Sequence, residues 1–205
     1  MPRSIYVLAL LLPLVLSGCI SMPPAEPDNI CSVFQEKRGW HKAAKAAQEK
    51  WGTSMHIPMA FMYQESSFDR NARPPRRYLL GFIPWKRPSS AYGYAQAIDG
   101  TWQSYINATN QPWRERNNFA DATDFVHWYM NQAIQKNGIA KTDAFNLYLN
   151  YHEGTAGFAQ GSYNKKSWLK KTALRVQRRS EKYAVQYQRC AKSLQPGFFG
   201  RLMGW

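Results

Sequence analysis

A carboxyl group, Glu65, closes a run of apolar and aromatic residues in a stretch that ends Tyr63-Gln64-Glu65-Ser66-Ser67-Phe68. A carboxylic acid held against such side chains is harder to ionise, so it keeps a proton that it can donate near neutral pH. Read by itself, the stretch is equally served by a solvated helix residue, and that is the simpler reading. A second acid, Glu153, stands in Tyr151-His152-Glu153-Gly154 and reads as a surface residue, with a place in a cleft as the alternative. The four histidines (His41, His56, His127, His152) are scattered, and no Cys/His cluster has metal-ligand spacing. Neither a metal site nor a cofactor is expected.

The elements that must hold Glu65 are mostly helical. Pro58 opens a helix over Ile57 to Ser67, in which Met62, Glu65 and Ser66 share a face. Trp40, Ala43, Ala44, Ala47 and Trp51 recur at helical spacing, with Gly52 as the stop. Tyr92 to Gln96 reads as a turn, followed by a short helix with Trp102 and Tyr105. Asp121 or Thr123 is expected to cap a helix that closes at Gly138, and Thr142 to cap another that runs to Tyr151. Ser167 to Ala191 reads as a final helix with a basic face, either simply solvated or a contact for anionic lipid or glycan. Between residues 71 and 90, prolines, Gly81, arginines and aromatics predict a loop. Its rings either flank a groove or pack down on the domain. No alternating run is long enough for a substantial sheet, so the fold class is mostly α.

The formal net charge is +14, which implies an anionic partner: nucleic acid, an acidic membrane surface or an acidic polysaccharide. The N-terminus narrows this. Arg3, an apolar run from Ile5 to Leu16 and then Leu16-Ser17-Gly18-Cys19 resemble a bacterial lipoprotein signal. That resemblance implies cleavage before Cys19, lipid on its sulfur and attachment to a membrane, with Ile20 pointing to the outer membrane. An uncleaved anchor or an ordinary secretory signal is the alternative. Export argues against nucleic acid. Cys31 and Cys190 remain as an even pair in an oxidising compartment, either bonded to each other or as two free buried thiols. The expected organisation is a signal over 1–18, a lipidated and flexible linker over 19–35, a domain over 36–192 and a tail over 193–205.

Three pieces in order, Glu65-Ser66, Gly93-Tyr94-Ala95-Gln96 and Tyr151-His152-Glu153-Gly154, resemble the soluble-lytic-transglycosylase-type domain of the lysozyme superfamily. The resemblance covers about Trp40 to Val185. It departs from the family pattern at Tyr94 and Ala95, at His152-Glu153 and in the long 71–90 segment. It implies a single lysozyme-like domain of the goose-lysozyme type acting on peptidoglycan strands. Glu65 then matches the general acid. Ser66 matches a residue that orients substrate or acid, or else a hydroxyl satisfied on its own helix. Gly93, Tyr94, Gln96 and Tyr151 match the cleft lining. The activity implied is cleavage of the N-acetylmuramic acid to N-acetylglucosamine bond with formation of a 1,6-anhydro end. A hydrolytic lysozyme on the same fold, with Glu153 or Asp69 as base, and a non-catalytic peptidoglycan-binding lipoprotein are the alternatives.

Overall fold

Six consecutive buried residues, Ile57 to Met62, run all the way round α3 (His56–Ser66). A helix apolar on every side belongs at the centre of a core, and α3 is enclosed there. A computed structural model describes residues 22–195. The signal segment, Cys19 and the end of the tail lie outside the described residues. Around α3 stand α1 (Ile30–Glu36), α2 (Arg38–Trp51), α4 (Asp99–Thr109), α5 (Phe119–Asn137), α6 (Ala144–Ala159) and α7 (Ser167–Cys190). The central helix packs on α7 and α5, while α2 lies on α5, and α6 bridges α5 and α7. Two short strands, β1 (Tyr78–Leu79) and β2 (Ile83–Pro84), form an antiparallel hairpin with Leu79 opposite Ile83.

The helix ends have local causes. Gly52 and Gly138 adopt left-handed conformations at the ends of α2 and α5, each returning its N–H to the preceding turn. The start of α5 differs from expectation: Asn118 caps it, its side chain accepting from the Ala120 and Asp121 amides. Asp121 instead accepts from Arg114 and the Glu115 amide, and Thr123 is buried. Asp143, not Thr142, caps α6, accepting from the Asn146 amide. That helix also runs past Tyr151 to Ala159, across a break at Gly154 (φ 75°, ψ 161°). Asn137 spans the break, its amide donating to Asn150 Oδ1 at 2.8 Å and to the Thr155 carbonyl at 3.0 Å. Asn137 on α5 thereby ties together the two halves of α6.

The stretch expected as a flexible linker over 19–35 is docked on the domain from Pro24 onward. Ile30, Val33 and Phe34 on α1 are fully buried. Tyr183 donates to the Pro27 carbonyl, Arg179 pairs with Asp28, and the Ala25 amide donates to Glu36. Cys31 and Cys190 are joined, which fixes α1 to the end of α7. Burying a large apolar side chain stabilises by about 1.5–3 kcal/mol, so α1 is part of the core and not a spacer. At the other end Leu194 is buried, carrying packing into the expected tail.

One buried acid holds three helices together. Asp124 on α5 accepts from Tyr105 Oη (2.7 Å) on α4 and from Trp51 Nε1 (2.8 Å) and Lys50 Nζ (3.0 Å) on α2. Burial pushes its pKa up, but these donors and Arg114 outweigh it and hold the carboxyl below the ordinary range.

Candidate active site

Glu65 sits on the last turn of α3, where the chain reverses through Ser67 and Phe68, both at positive φ. Phe68 is fully buried against Trp40 and Tyr63, and so fixes the reversal. The carboxyl opens into a pocket of about 360 Å³ whose wall includes Gln96, Phe125, Tyr129, Tyr151 and Glu153. It is partly exposed to that pocket. Tyr148 Oη donates to Glu65 Oε1 at 2.8 Å. Burial pushes the Glu65 pKa up to about 7, and the Tyr148 hydrogen bond opposes this without reversing it. Asp124, with four donors, is held low, whereas Glu65, with one neutral donor, is held high. Desolvation raises both, and the extra donors and the cationic charges of Lys50 and Arg114 around Asp124 separate them.

The Gly93-Tyr94-Ala95-Gln96 turn packs directly on the end of α3. Ser66 Oγ lies 2.8 Å from the Tyr94 carbonyl and 3.0 Å from that of Met62, so its proton is spent on backbone. Gly93 has φ 74°, and a Cβ there would lie 2.7 Å from the Arg116 carbonyl carbon and closer still to its oxygen. Its glycine is required by the segment behind the turn rather than by an approach to the pocket. Tyr94 is not in the pocket wall either. Its ring is buried at 2 % exposure, edge-on to Trp40 and Phe119, which corrects the expectation that it lines the cleft. Gln96 does face the pocket, and its amide donates to the Ala72 and Gly93 carbonyls, both at 2.9 Å. Its carbonyl end is the part left for a ligand.

The opposite wall comes from the break in α6. Tyr151 lines the pocket and donates to the Ala95 carbonyl at 2.5 Å, tying α6 to the turn. Its ring is set edge-on to Phe61 and Tyr129. Burial first, and the charge of Glu65 next, pushes the phenols of Tyr148 and Tyr151 well above the ordinary range, so both remain donors. Glu153 is in this wall too, with a side chain only 3 % exposed, and is not the free surface residue expected. Lys166 Nζ reaches both its oxygens at 2.8 and 2.9 Å, and Ser162 and His152 add hydrogen bonds. Desolvation acts to raise its pKa, but these partners win and lower it to about 2. The pocket thus pairs a carboxyl that keeps its proton near neutrality with one that stays ionised.

Tyr148 was not singled out by spacing, because an aromatic residue in a helical pattern reads as core, and its ring is core. Only the meeting of α6 with α3 places its hydroxyl on Glu65. Asp69 accepts from the Asn71 amide and does not line the pocket. Among the described residues no group of three or more His, Cys, Asp or Glu side chains is placed to hold a metal ion. Nor is any described helix long and apolar enough to cross a membrane.

The arrangement can donate and recover a proton at one point beside a groove able to take a polar ligand. No curated protein matches the chain. The family model described as "Transglycosylase SLT domain" matches residues 7–190. That match carries a lytic-transglycosylase-type action on peptidoglycan at the level of the family, and a lysozyme-like fold in keeping with the helices described above. The chain belongs to the transglycosylase SLT domain family.

Proposed function

We propose that the protein is a lytic transglycosylase in which Glu65 acts first as acid and then as base. The observation that carries this reading is the contrast within one pocket: Glu65 has the single neutral donor Tyr148, which leaves burial to push its pKa up to about 7, while Glu153 is ion-paired with Lys166 and stays ionised. Protonated Glu65 donates to the oxygen joining N-acetylmuramic acid to N-acetylglucosamine as the bond from that oxygen to C1 breaks. Positive charge developing at C1 is shared with the N-acetyl carbonyl of the same sugar. Ionised Glu65, steadied by the Tyr148 hydroxyl, then takes the proton of the C6 hydroxyl as that oxygen closes on C1. A 1,6-anhydro end forms, Glu65 regains its proton and no water is consumed.

A hydrolase would need a second carboxylate to act as base or nucleophile. Glu153 is poorly suited to that role, because its lone pairs are taken by Lys166, Ser162 and His152. Paired with Lys166, it serves better to brace the wall of the pocket. Gln96 and Tyr151 line the sugar path, while Ser66 and Gly93 set the turn that carries Gln96. The signal-like N-terminus supports a lipoprotein held at the outer membrane and facing the periplasm, where peptidoglycan lies.

The test is digestion of purified sacculi by the protein and by Glu65→Gln, with fragments read by mass spectrometry. Anhydro ends are expected from the wild type and a loss of about 10²–10⁴-fold in the variant. Products heavier by one water would mean a hydrolase. Sacculus binding with no fragments would mean a binding module.

A further inference from the structure

Between Arg70 and Ile98 the chain carries six basic side chains and no acidic one. The same segment holds the β1–β2 hairpin, where every residue from 75 to 90 is exposed. The exposure falls on large apolar groups: Leu80 at 75 %, Phe82 at 72 %, Tyr78 at 58 % and Trp85 at 53 %. The rings do not pack down on the domain, which removes one of the two readings of this loop. Isolated exposed apolar residues need no explanation, but a contiguous set on one projecting tip marks an interaction site.

The hairpin is layered along its length. The Arg77 amide donates to the Lys86 carbonyl and the Trp85 amide to the Arg77 carbonyl, which sets basic residues side by side at its base. Tyr78 opposite Pro84 and Leu79 opposite Ile83 come next, and Leu80-Gly81-Phe82 forms the tip. The charged layer is therefore nearest the domain and the apolar layer farthest from it. Leu80 sits at the tip with φ 55°, beside Gly81 at φ 82°. A turn with two positive-φ residues favours Asn or Gly at the first of them, and leucine there is conformationally disfavoured as well as exposed. Folding gives no reason for that leucine.

The base of the hairpin, by contrast, is fixed. Arg73 lies over the Tyr92 ring at 3.9 Å, and Arg116 donates to the Ser90 and Ala97 carbonyls. A firmly mounted apolar tip with a cationic collar behind it fits a layered partner whose surface is anionic and whose interior is hydrocarbon. We propose that this hairpin inserts its tip into an anionic lipid bilayer, with Arg76, Arg77 and Lys86 meeting lipid phosphates. A glycan would match the collar and stack on the rings, but it would leave Leu80 and Ile83 unsatisfied. The helix α7, also basic, is a poorer match: its Arg179 is taken up by Asp28 and lies over Tyr63. The proposal stands independently of the reaction at Glu65.

The test places an environment-sensitive fluorophore on Leu80→Cys in the full chain, with the wild-type chain labelled in parallel to subtract any signal from Cys19. Vesicles of phosphatidylglycerol and phosphatidylethanolamine, carrying acyl-chain bromine quenchers, are compared with phosphatidylcholine vesicles and with sacculi. Insertion predicts a blue shift and quenching in the anionic vesicles, weakened by salt. Arg76→Gln and Arg77→Gln should each weaken insertion about fivefold, with sacculus digestion unchanged as the check on folding. A probe that stays in water with anionic vesicles overturns the proposal. So does equal insertion into phosphatidylcholine, and so does a shift with sacculi alone, which would assign the hairpin to the glycan.

Discussion

At the scale of single residues, the proposed role of Glu65 ties activity to its protonation, and the same proton bears on stability. A general acid must hold its proton before reaction, so turnover should fall as pH rises through about 7. Tyr148→Phe removes the donor that favours the ionised form. The alkaline limb of the pH–rate profile should then move up by roughly one on the pH scale; an unmoved limb would detach Tyr148 from the acid. The same shift couples to folding. Because the folded pKa of about 7 lies above the ordinary 4.5, proton binding favours the folded state below pH 4.5. That contribution is lost as pH rises through 7. Glu65→Gln should therefore stabilise the protein at pH 8 by up to about 3 kcal/mol and do little at pH 4, as read by denaturant melts at the two pH values. The place of Glu65 in a pocket wall was legible in sequence because an acid ended an apolar run and two further motifs followed it. Glu153 was misjudged because Lys166 and Ser162, which draw it into the wall, lie on the far side of a break that no pattern announced.

At the scale of elements, the site depends on how the turn at 93–96 is seated. Gly93 has the Arg116 backbone where a side chain would begin, and its φ is positive. Gly93→Ala should destabilise the fold by about 2 kcal/mol or more through strain and displacement. It should also lower kcat, since Gln96 and the Ala95 carbonyl that holds Tyr151 would shift with the turn. An alanine variant with unchanged denaturant midpoint and activity would remove the turn from this account. Helix stops at Gly52 and Gly138 were legible because each glycine follows the last residue of an apolar helical pattern, where a left-handed residue closes the final turn. The cap at Asn118 lies three residues before Asp121 and the cap at Asp143 one residue after Thr142, where short polar side chains competed and tertiary packing chose. Tyr94 illustrates the opposite limit. Its motif position suggested the cleft, but Trp40 and Phe119, distant in sequence, enclose it.

At the scale of the whole molecule, α1 and α7 close the chain on itself. The Cys31–Cys190 bond spans 159 residues. Constraining a loop of that length in the unfolded chain stabilises by about 3–5 kcal/mol. Cys31→Ser together with Cys190→Ser should lower the denaturant midpoint accordingly while leaving sacculus digestion at low temperature intact. No change in midpoint would show that α1 docks without help from the bond.

The bond also settles where tension enters the protein. A pull on the chain ahead of Pro27 does not simply peel α1 away from the core. At Cys31 the force divides, one part following the backbone toward α2 and the other crossing the sulfur bridge into the end of α7. A domain gripping a stiff polymer while leashed from its N-terminal side would thus share strain between its first helix and its last, and the helix bearing Glu65 would stand outside the direct line of pull.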